Sequence, residues 1–350
     1  IRVSTIDDLV RIPSNLISRE LQISIKLIEK FCLSARIIAH YVKHGDEEKL
    51  RRKIVLAGLN SAGKTSIIHS IQNMETVAYL RPTLGVKVDQ FDLVGKNITI
   101  WDLGGQSAFR DVFTRPNSVQ FSGLSLLIFV FDVQARGRAL EGLEYFTRTM
   151  KVANFLHQKP KLVIFFHKYD HTRGQSLVRV FEANKRHLLM RLQPLIRRYK
   201  LSQVEYYDTS IYDIPGLIQA FSKALTSISP VASILSDTLE FYSKEQKALG
   251  TFLMSDKGLV IAEYLGKLNK KSRDDALIQA MITIRDNPNR QLFSERVGVN
   301  LFVTIKQLLI NDVKMFLISV NDRDTELENS DSHNLHEILS PWIANLFATF

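Results

Sequence analysis

Two short stretches of this chain have residue types and spacings suited to handling a phosphate chain. The first, Gly58-Leu59-Asn60-Ser61-Ala62-Gly63-Lys64-Thr65-Ser66, fits the pattern G-x-x-x-x-G-K-[ST]. It lies between an apolar run, "RKIVLA", and a helical pattern, "IIHSIQ", the setting that the pattern requires. Backbone N–H groups of such a loop turn inward around a β-phosphate, and the following helix adds its positive end. Asn60 to Ser66 are therefore expected to wrap the phosphates, with Lys64 bridging β and γ and the Thr65 hydroxyl holding Mg²⁺. The second stretch is "ITIWDLGGQ". Asp102 ends an apolar strand, where a carboxylate reaches a metal through water. Gly105 lets its N–H approach a γ-phosphate with no Cβ in the way. Gln106 is placed to orient an attacking water.

Between them, "RPTLGVKV" puts Thr83 in a loop that leads to a strand. Its hydroxyl and backbone there can complete a Mg²⁺ shell when a γ-phosphate is present. A lone threonine is ordinarily a surface residue, and only its position between two stronger motifs raises it. Further on, "FFHKYD" and "YYDTSI" each close a strand. The two acceptors of Asp170 match guanine's N1–H and N2–H₂, whereas adenine presents a single donor. Lys168 can lay its aliphatic stem along the ring, and backbone N–H groups at Ser210 and Ile211 can read guanine O6. Successive strand ends of one sheet are where such a fold binds ligand, so the expected ligand is GTP or GDP with Mg²⁺.

The elements that must position these residues alternate from Arg52 to about Ser229. Strand patterns fall at "KIVLAG", "VKVDQFDL", "NITIWDL", "LSLLIFVFDV", "KLVIFFH" and "VEYYDTS". Helical patterns separate most of them, but "VGKN" joins the second and third as a hairpin. One antiparallel edge on a parallel sheet predicts a doubly wound α/β fold. Ahead of it, Ile17, Leu21, Ile28, Phe31, Ile38 and Val42 predict one long helix capped at Ser14 or Asn15. After Pro230 the order changes. The pattern predicts a helix over 232–249, a hairpin centred on Asp256-Lys257-Gly258 and a helix from Ser272 with Asp275 in capping-box position. Strands "NLFVTIKQ" and "VKMFLISV", an acidic loop and a closing helix from His333 to Phe350 complete a small α+β unit. The expected domains are 1–48, 49–229 and 230–350.

At 350 residues the chain is long enough for two cores. Its one cysteine, Cys32, excludes an internal disulfide framework and suits a reducing, cytoplasmic setting. The longest apolar run, about eight residues near Leu124–Phe131, is too short to span a bilayer. No secretory signal is readable, but the sequence begins at Ile1 rather than Met, so an upstream stretch is expected to be missing, and any N-terminal lipidation signal with it. The net charge of +10 is concentrated between Arg148 and Lys200, where thirteen Lys/Arg meet two acids, Asp170 and Glu182. The plain reading is a solvated basic face. The functional ones are an anionic membrane, leaving the protein peripheral to it, or an acidic protein partner. Nucleic acid is disfavoured, since no helix-turn-helix, zinc or RNP signature accompanies the charge.

Together "GLNSAGKTS", "PTLG", "WDLGGQ", "HKYD" and "TSI" resemble the small GTPase superfamily over Lys53 to about Ser229. "WDLGGQ" with "PTLG" is similar to both Arf-like and Rag (Gtr) proteins. His167, where most members have Asn, favours the Rag group, as do "IFVFDVQAR" and "TSIYD". Residues 231–350 resemble the roadblock domain that Rag proteins use for pairing. The resemblance implies His167 in the guanine site, a GTP/GDP switch, a homo- or heterodimer through the C-terminal unit, and membrane-linked signalling. Slow intrinsic turnover is expected, on the order of 10⁻³ to 10⁻⁴ s⁻¹ without an arginine in cis. Arg81 and Arg115 are the free candidates, neither with a positional warrant. The alternatives are an Arf-like membrane-recruited switch and a nucleotide-loaded scaffold without significant hydrolysis.

Overall fold

Strands that are apolar on both faces and alternate with helices can satisfy their burial only as the middle of a parallel sheet covered on both sides. The computed structural model builds that sheet. It describes residues 11–22, 24, 25, 28, 32, 53–73, 83, 85–93, 96–115, 119–171, 174–201, 204–228, 230–287, 289–297, 301–310 and 313–322. Helix α1 (Ser14–Leu21) comes first, and β1 (Lys53–Gly58) leads into α2 (Lys64–Asn73). The hairpin β2 (Val86–Leu93) and β3 (Lys96–Leu103) is followed by α3 (Ser107–Phe113). Then come β4 (Leu124–Asp132), α4 (Ala139–Phe155), β5 (Lys161–His167), α5 (Gln175–Arg198), β6 (Glu205–Thr209) and α6 (Ile214–Thr226). The strand order is β2-β3-β1-β4-β5-β6, parallel except for β2, which runs against β3. This is the α/β layout that the sequence pattern predicts.

Alternate residues of the central strands divide between two cores. Ile54, Leu56, Ile128, Val130, Val163 and Phe165 share one with α2 and α6. Val55, Ala57, Leu127, Phe129, Ile164 and Phe166 share the other with α4 and α5. In the second, Phe129 meets the rings of Phe131, Tyr145 and Phe146 at centroid distances of 4.8, 5.7 and 5.2 Å. Aromatic packing of this kind fixes the height of α4 against β4, and with it the loop between them.

Beyond α6 lie α7 (Pro230–Gln246), β7 (Gly250–Ser255), β8 (Val260–Tyr264), α8 (Lys270–Asp286), β9 (Leu292–Val297), β10 (Leu301–Ile310) and β11 (Val313–Asn321). They form an antiparallel sheet in the order β8-β7-β11-β10-β9. The turn at Asp256-Lys257-Gly258 is as expected: Gly258 has φ +74°, and Ser255 Oγ accepts from the N–H groups of Lys257 and Leu259. Three details differ from expectation. Helix α7 stops at Gln246, where Lys247 turns left-handed and the Ala248 N–H returns to the Ser243 carbonyl at 2.9 Å. Helix α8 starts earlier than Ser272, because Asn269 caps it through the Ser272 N–H at 2.9 Å. Strand β9 has no counterpart in the sequence reading. Only Phe293 of its six residues is buried, so its alternation is nearly silent.

The two sheets share a hydrophobic core. Leu217, Phe221 and Leu225 of α6 pack in one cluster with Leu235, Leu239, Phe252, Val260 and Met281. The Val260 N–H donates to Ser222 Oγ at 3.0 Å. Beside this seam, Glu205, Tyr207, Lys223, Glu263 and Arg273 line a cavity of about 440 Å³, at the opposite end of β6 from its last residue. The predicted long N-terminal helix is interrupted: α1 ends where Gln22 turns left-handed, and Ile25, Ile28 and Cys32 are helical again beyond it, with the Ile28 N–H donating to the Ser24 carbonyl at 3.1 Å. Pro13 precedes α1, so neither Ser14 nor Asn15 stands at its cap position. Ile17, Ile28 and Cys32 are buried in a small cluster with Ile12 packed against them. The rest of that segment, most of the acidic loop and the expected closing helix lie outside the described residues. No helix among those described is long and apolar enough to cross a membrane.

Because Phe221 is fully buried where the two sheets meet, Phe221→Ala should destabilise the protein by about 3–5 kcal/mol. Chemical unfolding should then show the nucleotide-binding and C-terminal parts losing structure together. Unfolding of one part at an unchanged midpoint would mean that the shared core does not couple them.

Candidate nucleotide site

Every sequence motif ends at the same edge of the first sheet, because β1, β3, β4, β5 and β6 run in parallel and in register there. The loop between β1 and α2 is held by glycines that have no room for a side chain. A Cβ on Gly63 (φ +94°) would stand 2.5 Å from His167 Cδ2, and one on Gly105 would stand 2.1 Å from the Asn60 nitrogen. Gly63 therefore lets the imidazole at the end of β5 pack against the phosphate loop. Gly105 lets the segment after β3 close on it, with the Asn60 N–H donating to the Gly105 carbonyl at 3.0 Å. Ser61 takes a left-handed φ of 60°, Ala62 is buried, and Ser66 is half-buried in the first turn of α2.

Lys64 is 5% exposed, and its Nζ donates to the carbonyls of Gly58 and Leu59 at 2.9 Å each. Burial pushes its ammonium down to about 8, with Asp102 opposing the shift and Arg110 and Arg138 adding to it. An anion placed against this loop would restore the full charge, so the lysine is electrostatically prepared for a phosphate.

Thr65, Thr83 and Asp102 converge as expected. Thr65 Oγ1 donates to Asp102 Oδ2 and lies 2.7 Å from Thr83 Oγ1. Thr83 Oγ1 reaches the same carboxylate oxygen at 3.0 Å. The other oxygen, Asp102 Oδ1, is buried with no hydrogen-bond partner. A carboxylate taken out of water and left half-satisfied is costly unless a cation or donor completes it. Two hydroxyls and one carboxylate suit a hard cation that also draws on phosphate oxygens and water, as Mg²⁺ does. Among the described residues no group of three His, Cys, Asp or Glu offers a different metal site. Gln106 is half-buried and extended (φ −70°, ψ 147°) at the cap position of α3. Its carbonyl accepts from the N–H groups of Phe109 and Arg110.

At the other end of the site, Asp170 is 4% exposed and Ser210 2%. Ser210 Oγ donates to Asp170 Oδ1 at 2.5 Å, and Gln134 Nε2 donates to Asp170 Oδ2 at 2.8 Å. The two carboxylate oxygens expected to face guanine alone are thus also tethered by protein donors. Lys168 has φ +63°, and its ammonium is anchored on Asp132 Oδ2 at 2.7 Å rather than left free beside a ring. Ile211 packs partly buried against the core. Sequence reasoning missed Asp132 and Gln134. Asp132 carries the same signal as Asp102, a carboxylate ending an apolar strand, and was legible on that ground. It also missed Arg138, whose Nη1 and Nη2 hold the Asn60 carbonyl and Oδ1 at 3.0 and 2.6 Å. Of the two arginine candidates, Arg81 lies outside the described residues.

A phosphate loop after the first strand, a hydroxyl–carboxylate cluster from three elements and an Asp–Ser pair on the last two strand ends define a small-GTPase-type nucleotide-binding domain. Residues 53–282 match the Gtr1/RagA G protein conserved region, and the chain belongs to that family of GTP-binding proteins. Among solved structures it is similar to the Arl6 BBS3 small GTPase from Trypanosoma brucei with bound nucleotide analogue GppNp. The likeness is 17% identity and a TM-score of 0.39, covering 51% of this chain and 96% of that chain.

His167 gives the site a pH signature. It is 1% exposed, its Nδ1 lies 2.9 Å from Thr209 Oγ1, and burial, then the Lys168 charge, pushes it down to about 3. Between that value and the ordinary 6.5 the unfolded chain binds a proton that the folded chain does not. Its contribution to stability is complete above pH 6.5 and is lost as pH falls towards 3. From pH 7 to pH 5 this term should remove on the order of 1–2 kcal/mol. His167→Asn should flatten that part of the stability profile in chemical denaturation. An unchanged slope would mean that the imidazole is protonated in the folded state.

Proposed function

We propose that this chain is a guanine-nucleotide switch that binds GTP and GDP with Mg²⁺ and hydrolyses GTP slowly. The observation that carries the reading is the meeting of Thr65, Thr83 and Asp102 beside Lys64, with one carboxylate oxygen left unpaired. Thr65 and Thr83 would hold Mg²⁺ directly and Asp102 through water. The cation supplies charge neutralisation on the β- and γ-phosphates. The backbone of Asn60–Ser66 cradles the phosphate chain, and Lys64 exchanges its carbonyl partners for phosphate oxygens. The Gly105 N–H approaches the γ-phosphate, and Gln106 orients the water that attacks in line. Asp170 accepts from the guanine N1–H and N2–H₂, Ser210 and Ile211 present N–H groups to O6, and His167 backs the loop through Gly63.

Lys64→Ala should abolish nucleotide binding, whereas Gln106→Leu should keep it and lower single-turnover hydrolysis by about 10²-fold or more. Asp170→Asn should erode the preference for guanine, because one acceptor becomes a donor facing a donor. Equal affinity of the unmodified protein for ATP would overturn the base assignment. GTP that is bound yet never hydrolysed, even with an activator, would leave a loaded scaffold in its place.

Pairing through residues 230–350 is part of the same proposal. It is supported by Ile278 and Ile282, one turn apart on α8 and 37% and 40% exposed. A roadblock-like unit that pairs would cover them. Ile278→Asp with Ile282→Asp should halve the mass in solution, measured with GTP and with GDP; an unchanged mass would place the contact elsewhere or exclude it. The exposed basic residues of α5, including Arg179, Arg186, Arg191 and Arg197, suit an anionic membrane or an acidic partner. They support a cytoplasmic protein peripheral to a membrane.

A further inference from the structure

We infer that Glu141 is a positioning residue that couples the helix following Gln106 to the phosphate loop, and so discriminates triphosphate from diphosphate. This rests on the guanine-nucleotide reading above. Glu141 lies in the first turn of α4 and accepts from both sides. Arg110 Nη2, on α3, reaches its Oε1 at 2.5 Å, and Arg138 Nε reaches its Oε2 at 2.9 Å. The far side of the same Arg138 guanidinium clamps the Asn60 carbonyl and Oδ1. An unbroken chain therefore runs from α3 through one carboxylate to the phosphate loop. Asn60 is its junction, since its N–H already holds Gly105 from the other direction.

The members of this chain differ in what fixes them. Arg138 stands at the cap position of α4, three residues before Glu141, and is bound to the loop at two atoms, so that half stands whatever α3 does. Arg110 belongs to the segment carrying Gln106. Its docked position is finely balanced. It lies over the Tyr145 ring at 5.5 Å, its side chain is 12% exposed, and its Nε is buried without a partner. A buried guanidinium nitrogen lacking an acceptor opposes docking. Glu141, held below the usual carboxylate range first by Arg138 and then by Arg110, favours it. A second pair, Arg148 to Asp111 at 2.7 Å, joins the same helices but is more than half exposed and contributes little.

The Arg110 contact to Glu141 occurs together with Thr83 on Asp102 and Thr65; on the nucleotide reading this is the arrangement expected when both γ-phosphate-reading segments are drawn in. Glu141 thus supplies the acceptor on which α3 seats when a γ-phosphate holds Gly105 and Thr83. In the diphosphate complex nothing at the γ position draws α3 inward, and the Arg110 contact is dispensable.

The test is a double-mutant cycle on the full chain, with Arg110→Met, Glu141→Gln and both. The readouts are the Kd for GDP and for a non-hydrolysable GTP analogue with Mg²⁺, and single-turnover hydrolysis at saturating GTP. Each single variant should weaken the analogue about three- to tenfold, the discounted value of a part-exposed pair, and GDP by less than about twofold. The double variant should be no weaker than the worse single one, and hydrolysis should fall in step. Glu141→Gln is isosteric, and its melting temperature reports any general loss of folding. Equal losses for both nucleotides, or additive losses in the cycle, overturn the inference while leaving the switch intact. An unmodified protein that binds neither nucleotide overturns the switch and this inference together.

Discussion

A buried carboxylate with one oxygen unpaired is the constraint around which the site is organised. Asp102 is fully buried at the end of β3, in surroundings where an isolated charge is expensive. Two threonine hydroxyls satisfy one of its oxygens, and the Lys64 charge lies close enough to feel it. A parallel sheet makes this possible. Its strand ends expose backbone groups and side chains at one edge, while the strands themselves stay dry. Moving β3 by one residue against β1 would carry Asp102 to the other face and place Leu103 in the site. The site is therefore specified by the same register that packs Ile100 into the core.

Close approach matters as much as charge. Gly63 and Gly105 let His167 and Asn60 come within distances that any side chain would forbid. The base-reading strand ends, the phosphate loop and the segment carrying Gln106 thereby touch one another directly. The alternatives are water or long side chains, both of which transmit position poorly. A buried, neutral His167 suits that role, since it fills space against Gly63 and holds Thr209 without adding a second cation beside Lys64.

The sheet and the motif positions were legible in the sequence because they depend on short-range signals. Apolar runs of strand length alternate with helical periods, and glycines, Lys64, Asp102 and Asp170 fall at fixed offsets from the runs. What escaped depends on long-range packing. Gln134 and Arg138 follow β4 with no pattern of their own and gain a role only because α4 brings them to Asp170 and Asn60. Strand β9, with Phe293 as its sole buried residue, has too little alternation to register. The start of α8 was misplaced because Ser272 with Asp275 imitates a cap, while Asn269 offers the better-placed acceptor three residues ahead of the Ser272 N–H.

The shared core has a consequence for the base-reading end of the site. The loop after β6 carries Ser210 and Ile211 and passes straight into α6, whose first turn is capped by Asp213 accepting from the Gly216 N–H at 3.0 Å. One side of α6 packs on the first sheet, and Leu217, Phe221 and Leu225 also contribute to the core of the second. That loop is thus anchored at one end by a strand of the nucleotide-binding sheet and at the other by a helix common to both sheets. Ser210 is held in turn to Asp170 and to the Tyr212 N–H. The segment with the most direct access to the purine is therefore stiffened by the C-terminal unit, whereas α3, at the phosphate end, is held by Phe113 in the second core, with Phe109 packed against it, and by the Arg110 contacts to Glu141 and the Tyr145 ring, and adds no residue to the core shared by the two sheets. Mobility in such a fold concentrates where buried contacts are fewest. The base end is thus anchored in both cores and α3 in one, so fewer restraints oppose a response of the γ-phosphate end to its ligand.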